Sequence, residues 1–236
     1  KNVGDDNDKY EEFKKNIKCG KYFDDVAVII SEWANNGDLL DFIRNNYKIF
    51  KEIDWKAIFF QVISTLAIIQ NKYPYFRHND FKANNILVCE NNKKTKPLKY
   101  KITDKTYVVP NIGYHLRICD FDFSCIPGVI DNKKIDAEWT RKINITSAHN
   151  RYYDMHYFFN TLIKRGFFNQ FLTEDNVPQE AKDFVYRIIP EKYRNLDGST
   201  ISAKGRILID DEYLIPNDVL EYDVYFDEFR NLIKNV

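Results

Sequence analysis

The chain has 236 residues, 44% of them hydrophobic and 16% aromatic, with 35 basic residues against 35 acidic ones. This is enough apolar material for one domain with a substantial core or two small ones, and too much for a disordered chain. A net charge of zero excludes a global field that would recruit nucleic acid or an anionic membrane, and no apolar run approaches the ~20 residues needed to span a bilayer. We therefore expect neither nucleic acid nor membrane among the partners.

Four cysteines, Cys19, Cys89, Cys119 and Cys125, show no paired metal spacing. So few in a chain of this length point to a reduced intracellular protein, not a disulfide scaffold. Asn144-Ile145-Thr146 matches a glycosylation sequon, but without a secretory signal it reads as chance. Abundant Asn, Lys, Ile and Tyr beside 8 Gly suggest an AT-rich coding sequence. Because the chain opens at Lys1 and not at Met, we expect a piece of something longer.

In chain order, residues 1–25 are charged, with a weak helical pattern around Tyr10, Phe13 and Ile17. Val26–Ile30 reads as a buried strand, followed by a turn at Asn36-Gly37 and a capped helix. The spacing of Trp55, Ile58, Phe59, Val62, Ile63, Leu66 and Ile69 predicts a core helix over 54–72, with Asp54 as its cap. A polar stretch, 77–85, then runs into the apolar strand Ile86-Leu87-Val88. After it comes an insertion whose basic run, Lys93, Lys94 and Lys96, suits a solvated hairpin tip. A strand pattern from Tyr100 to Val109 is followed by a second over 115–119 that ends at Asp120. Residues 121–150 lack periodicity. Strongly apolar 152–163 is a helix enclosing Asp154; 179–189 is another, stopped by Pro190. A last amphipathic helix is predicted over 217–233, capped by Asn217 or Asp218. The fold class is α+β, mainly helical.

Chemistry concentrates in two places. In Arg77-His78-Asn79-Asp80-Phe81-Lys82-Ala83-Asn84-Asn85, Asp80 can accept a hydroxyl proton and Lys82 can offset phosphate charge. Asn85 can ligate a hard cation through its amide oxygen. The second place is Cys119-Asp120-Phe121-Asp122, a carboxylate at a strand end. Asp, then Lys two positions on and Asn five positions on, followed later by Asp-Phe, resembles the protein kinase superfamily. Asp80 would then orient and deprotonate the acceptor, Lys82 stabilise the transferred phosphoryl group, and Asn85 and Asp120 hold Mg2+. His78 and Phe121 would be packing residues, and Asp154 would support the loop backbone. Ser31-Glu32-Trp33-Ala34-Asn35-Asn36-Gly37-Asp38 resembles the kinase hinge. This implies adenine contacts from the backbone of Glu32 and Ala34, ribose contact from Asp38, and Ser31 as gatekeeper.

The resemblance implies a kinase-like large lobe over 26–236 with a short hinge strand, an insertion at about 90–113, and a remnant before the hinge over 1–25. It implies a serine/threonine protein kinase that uses ATP and Mg2+ and has a protein substrate, because tyrosine kinases usually carry Ala where Lys82 stands. The insertion ending Pro110-Asn111-Ile112-Gly113 before Asp120-Phe121-Asp122 resembles kinases of nucleocytoplasmic large DNA viruses, of the mimivirus-like kind.

The departures from the pattern are specific. Asn79 replaces the usual Arg and Asp122 the usual Gly, and Ala137-Glu138-Trp139 is at best a remnant of Ala-Pro-Glu. No Gly-rich loop or Val-Ala-x-Lys strand is present. In the family both belong upstream of the hinge, so the resemblance implies either a kinase whose small lobe lies before Lys1 or a large-lobe-only relic. Asn79 leaves no loop arginine for an activation-segment phosphate, so activity should not depend on phosphorylation at Thr140, Thr146 or Ser147. Two alternatives stay open. Small-molecule kinases of the choline or aminoglycoside type also read His-Asn-Asp and Asp-Phe-Glu, and a pseudokinase-like binding module would lack catalysis.

Overall fold

The computed structural model describes residues 3–23, 25, 30–91, 96–194 and 199–231. It divides into two compact units, Lys1–Trp33 and Ala34–Val236. In the first, α1 (Val3–Lys18) is followed by a turn at Gly20, and the Phe13 and Tyr22 rings lie 5.9 Å apart. Of the strand expected at Val26–Ile30, residues 26–29 lie outside the described residues; Ile30 is in no regular element.

The second unit is built around α3 (Glu52–Lys72). Its apolar residues do not form a stripe. Trp55, Ala57, Ile58, Phe59, Phe60, Val62, Ile63, Leu66 and Ala67 are all buried, as in a helix covered on every side. Phe59 packs against Phe159, Phe171 and Phe184; Phe60 packs against Tyr100, Tyr107, Phe226 and Phe229. Such edge and stacked pairs add to the burial of the rings themselves. The helix starts two residues earlier than predicted. Lys51 occupies the cap position, and Asp54 is the third helical residue, its carboxylate accepting the Lys51 N–H at 2.8 Å. Asp54 thus closes the first turn from within.

Two small antiparallel sheets flank this helix. β1 (Ile86–Glu90) pairs with β4 (Tyr114–Ile118), from Ile86 opposite Ile118 to Glu90 opposite Tyr114. Between them in sequence, β2 (Leu98–Ile102) and β3 (Lys105–Val109) form a hairpin. This corrects the single strand expected from Tyr100 to Val109: the alternation runs unbroken through a tight turn in which Thr103 takes φ 54°. Lys93 and Lys94 lie outside the described residues.

Helices close the unit: α2 (Leu39–Asn46), α4 (Glu138–Lys142), α5 (Tyr153–Leu162) and α6 (Gln179–Ile188). The predicted 217–233 helix is broken into α7 (Pro216–Tyr222), a 3-10 turn Val224–Phe226, and α8 (Asp227–Asn231). Pro216 itself is the first helical residue, so neither Asn217 nor Asp218 caps it. The break is at Asp223, whose carboxylate accepts the Tyr225 N–H at 2.9 Å and also pairs with Arg187. Among the described residues, no helix is long and apolar enough to cross a membrane.

Candidate active site

The loop 77–85 is held from beneath by α5. Asn150, just ahead of that helix, steadies its start, its amide oxygen accepting the N–H groups of Tyr152 and Tyr153 at 3.0 Å each. This places Asp154 in the first turn, fully buried, with its two oxygens accepting the backbone N–H of His78 at 2.7 Å and of Asn79 at 3.0 Å. Burial pushes the Asp154 carboxyl above its ordinary range; His78, its N–H, Arg77 and the Asn79 N–H oppose that shift. Asn79 sits at φ 64°, a left-handed conformation that Asn tolerates better than most residues. The loop therefore turns sharply where Asp154 grips it.

That turn presents Asp80, which is 6% exposed. Its Oδ2 accepts from Lys82 Nζ at 2.7 Å and from Asn85 Nδ2 at 2.9 Å. Asn85 Nδ2 also donates to the Asp80 carbonyl at 2.9 Å. With the amide nitrogen so engaged, the Asn85 oxygen is the end left for other ligands. Phe81 is fully buried against Phe158 and fixes the loop to the core.

Asp120 reaches the same region from the other strand. Cys119 N–H donates to the Asn85 carbonyl at 3.0 Å, so Asp120 directly follows the last link between β4 and the loop. Asp120 is exposed and takes φ 61°; the left-handed residue of this segment is thus Asp120, while Asp122 lies in a 3-10 turn, Phe121–Phe123. His78 joins the two halves, its Nε2 3.1 Å from the Cys119 carbonyl and its ring 5.1 Å from that of Phe121. Burial raises the pKa of the nearby Cys119 and Cys125 thiols, which favours their protonated forms.

The donor set fits magnesium: one amide oxygen and one carboxylate are hard ligands, and magnesium typically takes one or two protein groups beside substrate phosphates. Among the described residues, no cluster of three or more His, Cys, Asp or Glu could hold a metal.

The hinge candidates fall in different units. Glu32 is an exposed residue of the first. Ala34, buried, and Asp38 belong to the second, where Asn36 N–H donates to the Val88 carbonyl and Val88 N–H to the Gly37 carbonyl, joining 36–38 to β1. Asp38 caps α2 through Oδ1, which accepts the Asp41 N–H at 3.0 Å.

Sequence reasoning missed three contributions. Asn79 does more than vacate an arginine position. Its side-chain amide donates to the carbonyls of Phe123 at 2.9 Å and Thr146 at 3.0 Å. A loop arginine is present after all: Arg77, buried and 3.6 Å above the Tyr153 ring, donates to Thr146 Oγ1, the Ala148 carbonyl and the Asn144 carbonyl. It grips the 144–148 backbone directly, with no phosphate between. Lastly, Arg206 is 6% exposed and its Nη2 lies 2.5 Å from Asp80 Oδ1. No motif marks it, and it is 126 residues from its partner.

Comparison with known proteins gives a consistent picture. A family model described as poxvirus serine/threonine protein kinase matches residues 10–194. Over 228 residues, 95% of this chain, the sequence is 48% identical to "Putative serine/threonine-protein kinase R400" of Acanthamoeba polyphaga mimivirus, and the match covers 48% of that protein. R301 of the same virus, named in the same words, is 29% identical over 196 residues, covering 75% of this chain and 48% of the relative. Serine/threonine-protein kinase 2 of vaccinia virus (strain Copenhagen) is 40% identical over 89 residues, 38% of this chain and 18% of the relative. The chain spans about half the length of the mimivirus proteins it matches. It belongs to the poxvirus serine/threonine protein kinase family.

Proposed function

We propose that this chain carries the large-lobe phosphotransfer machinery of a serine/threonine protein kinase, which moves the γ-phosphate of ATP to a protein hydroxyl. The observation that supports this best is the junction of Asp80, Lys82 and Asn85 within 3 Å of one another's polar atoms, on a loop anchored by Asp154. Asp80 orients the acceptor hydroxyl and takes up its proton, which needs a carboxylate held at a fixed angle. Lys82, already beside Asp80, brings a positive charge to the place where the transferred phosphoryl group becomes most negative. Asn85, through its free amide oxygen, and Asp120 would hold Mg2+, which when bound neutralises the charge of the β- and γ-phosphates. Ala34 and Asp38 would meet the adenine and ribose; with Oδ1 of Asp38 engaged as a helix cap, ribose contact falls to its other oxygen. Four free cysteines suit a reducing, intracellular setting.

The test is transfer of labelled phosphate from magnesium-ATP to a generic serine/threonine protein by the full-length protein, with Asp120→Asn as control. Transfer by the parent and none by the variant is the expected result. Transfer to choline or an aminoglycoside but not to protein would replace this reading with a small-molecule kinase. Failure to bind magnesium-ATP would replace it with a binding module.

A further inference from the structure

Arg206 is a buried charge on the Asp80 carboxylate that none of the kinase motifs accounts for. It lies in a short turn structure in which Ile201 bridges Ile207, Ser202 N–H donates to the Arg206 carbonyl at 2.8 Å, and Arg206 N–H donates to Ser202 Oγ at 3.0 Å. The turn is seated on α5: Asn160 Nδ2 donates to the Gly205 carbonyl at 2.9 Å and Lys164 donates to the Ala203 carbonyl. Gly205 takes φ +90°, and a Cβ there would stand 3.4 Å from both Asn160 Nδ2 and Thr161 Cγ2. The left-handed backbone, not lack of space, is therefore what disfavours a side chain there. From the activation-segment side, Asn144 Nδ2 donates to the Ile207 carbonyl at 2.7 Å.

This anchored turn directs the guanidinium to two points of the catalytic loop. Nη2 meets Asp80 Oδ1, and Nε donates to the Asn79 carbonyl at 3.4 Å. The plane of the group lies over the Tyr157 ring at 4.3 Å. Tyr157 belongs to the same cluster: burial raises its pKa, Arg206 opposes the shift and Asp80 adds to it. Asp80 is thus bracketed, with Arg206 on one oxygen and Lys82 and Asn85 on the other. The terminal torsion of an aspartate is soft, with broad two-fold wells. Opposed donors on its two oxygens fix the plane of the carboxylate, which a loop carboxylate with one partner does not achieve.

We propose, on the kinase reading above, that Arg206 is a positioning residue for Asp80: it sets the angle at which the carboxylate meets the acceptor hydroxyl. Its bidentate fork is what the two-point contact requires, since a lysine could reach one of the two acceptors but not both.

The test uses the full-length protein and four chains: parent, Asp120→Asn, Arg206→Lys and Arg206→Ala. Folding is checked by thermal unfolding, and rates are divided into kcat and KM for ATP. Misplacement of a reacting group by about 1 Å costs on the order of 10²-fold, so Arg206→Ala should lose about that much in kcat with KM for ATP nearly unchanged. Arg206→Lys should fall between the two, and millimolar guanidinium ion should restore part of the Arg206→Ala rate without raising that of Asp120→Asn. A folded Arg206→Ala with parental kcat overturns the inference. So does a kcat loss that only tracks the folded fraction and is not relieved by guanidinium. If the parent transfers nothing while folded, the kinase reading fails and this inference fails with it; an active parent with a dead Asp120→Asn leaves Arg206 to be judged on its own variants.

Discussion

Asp80 and Asp120 stand at the mouths of two paired strands, β1 and β4, and are held in opposite ways. Asp80 is 6% exposed, and donors from Lys82, Asn85 and Arg206 cover its carboxylate. Its loop is gripped from α5 by Asp154 and from the 144–148 segment by Arg77 and Asn79. Asp120 is exposed, and among the described residues no donor reaches its carboxylate. Its neighbours are held more lightly: Phe121 is 52% exposed, and Asp122 is paired to a surface lysine, Lys134. The contrast suits a division of labour. A carboxylate that aims a hydroxyl must be rigid before substrate arrives, because orientation set in advance lowers the barrier. A carboxylate that meets a cation gains its order from the ion.

The contrast is broken most directly at Asp154. Asp154→Ala leaves two buried N–H groups without acceptors. We expect about 3–5 kcal/mol of lost stability, read as a lower urea midpoint and a collapse of transfer activity. A loss under about 1 kcal/mol would show that the loop does not depend on α5.

A second attack on the same helix comes through pH. His156 is fully buried, its Nε2 is 2.8 Å from the Tyr193 carbonyl, and Nδ1 has no partner. Burial brings its pKa down from 6.5 to about 4. The folded state therefore stays neutral while the unfolded chain takes up a proton. Stability is undiminished above pH 6.5, falls as the pH drops toward 4, and levels off below that. The full loss amounts to about 3 kcal/mol. Urea unfolding at neutral pH and at pH near 4.5 should show the decline in the parent. His156→Gln, which can still donate to the Tyr193 carbonyl, should flatten it. An equal slope in both would assign the acid sensitivity elsewhere.

How far the sequence could be read follows the same division. Asp80, Lys82 and Asn85 fall within one short loop, and only together with the later Asp120-Phe121 did their order resemble kinases and imply phosphotransfer chemistry; the structure brings the three loop residues together. A carboxylate inside an apolar helix marked Asp154 as costly if unpaired. Its partner, the loop backbone, came from the resemblance, because an Asp in a first helical turn is also accounted for by the helix dipole. Arg206 was not legible, since its pairing with Asp80 depends on a turn seated 126 residues away, and Ser202–Arg206 has no periodicity to register it. Arg77 sat in plain view, but an arginine beside a loop looks solvated until Tyr153 is placed beneath it. The misread hairpin at 98–109 has a local cause as well. Thr103-Asp104 lacks the Asn-Gly or Asp-Gly signature of a tight turn, so alternation carried the strand straight through. At Asp223 a polar residue fits an amphipathic pattern equally well as a helix position or as the cap that ends it.

The exposed half of the comparison is sharpened by Asp120→Asn. Asn keeps the left-handed backbone and removes the charge. We expect stability without ligand to change by less than about 0.5 kcal/mol, in contrast to Asp154→Ala. The parent should gain melting temperature with magnesium-ATP and the variant should not, because ligand binding to the folded state alone raises stability. A variant that melts much earlier without ligand would mean that Asp120 is pinned like Asp80, and the contrast would be lost.

The smallest effect belongs to residues 140–147. Where kinases are switched by phosphorylation, the phosphate commonly supplies the charge that orders the segment against a loop arginine. Here that arginine is already engaged. Arg77 donates to Thr146 Oγ1 and to the carbonyls of Asn144 and Ala148, and Asn79 adds two more carbonyls. Thr140 is fully buried, with its hydroxyl donating to the Ile135 carbonyl at 2.8 Å, so a modifying enzyme cannot reach it in the folded chain. Ser147 is the exposed member of the three. Thr146→Ala removes one of the acceptors of Arg77 Nη1 and leaves the Ala148 carbonyl. We expect Thr146→Ala and Ser147→Ala to change the transfer rate by no more than about twofold, the scale of a surface substitution. Thr140→Ala should cost about 1 kcal/mol of stability through its lost hydrogen bond and little rate. A tenfold or greater fall in Ser147→Ala, restored by Ser147→Glu, would sink the idea, because it would mean that the neutral grip of Arg77 and Asn79 is incomplete until a charge is added.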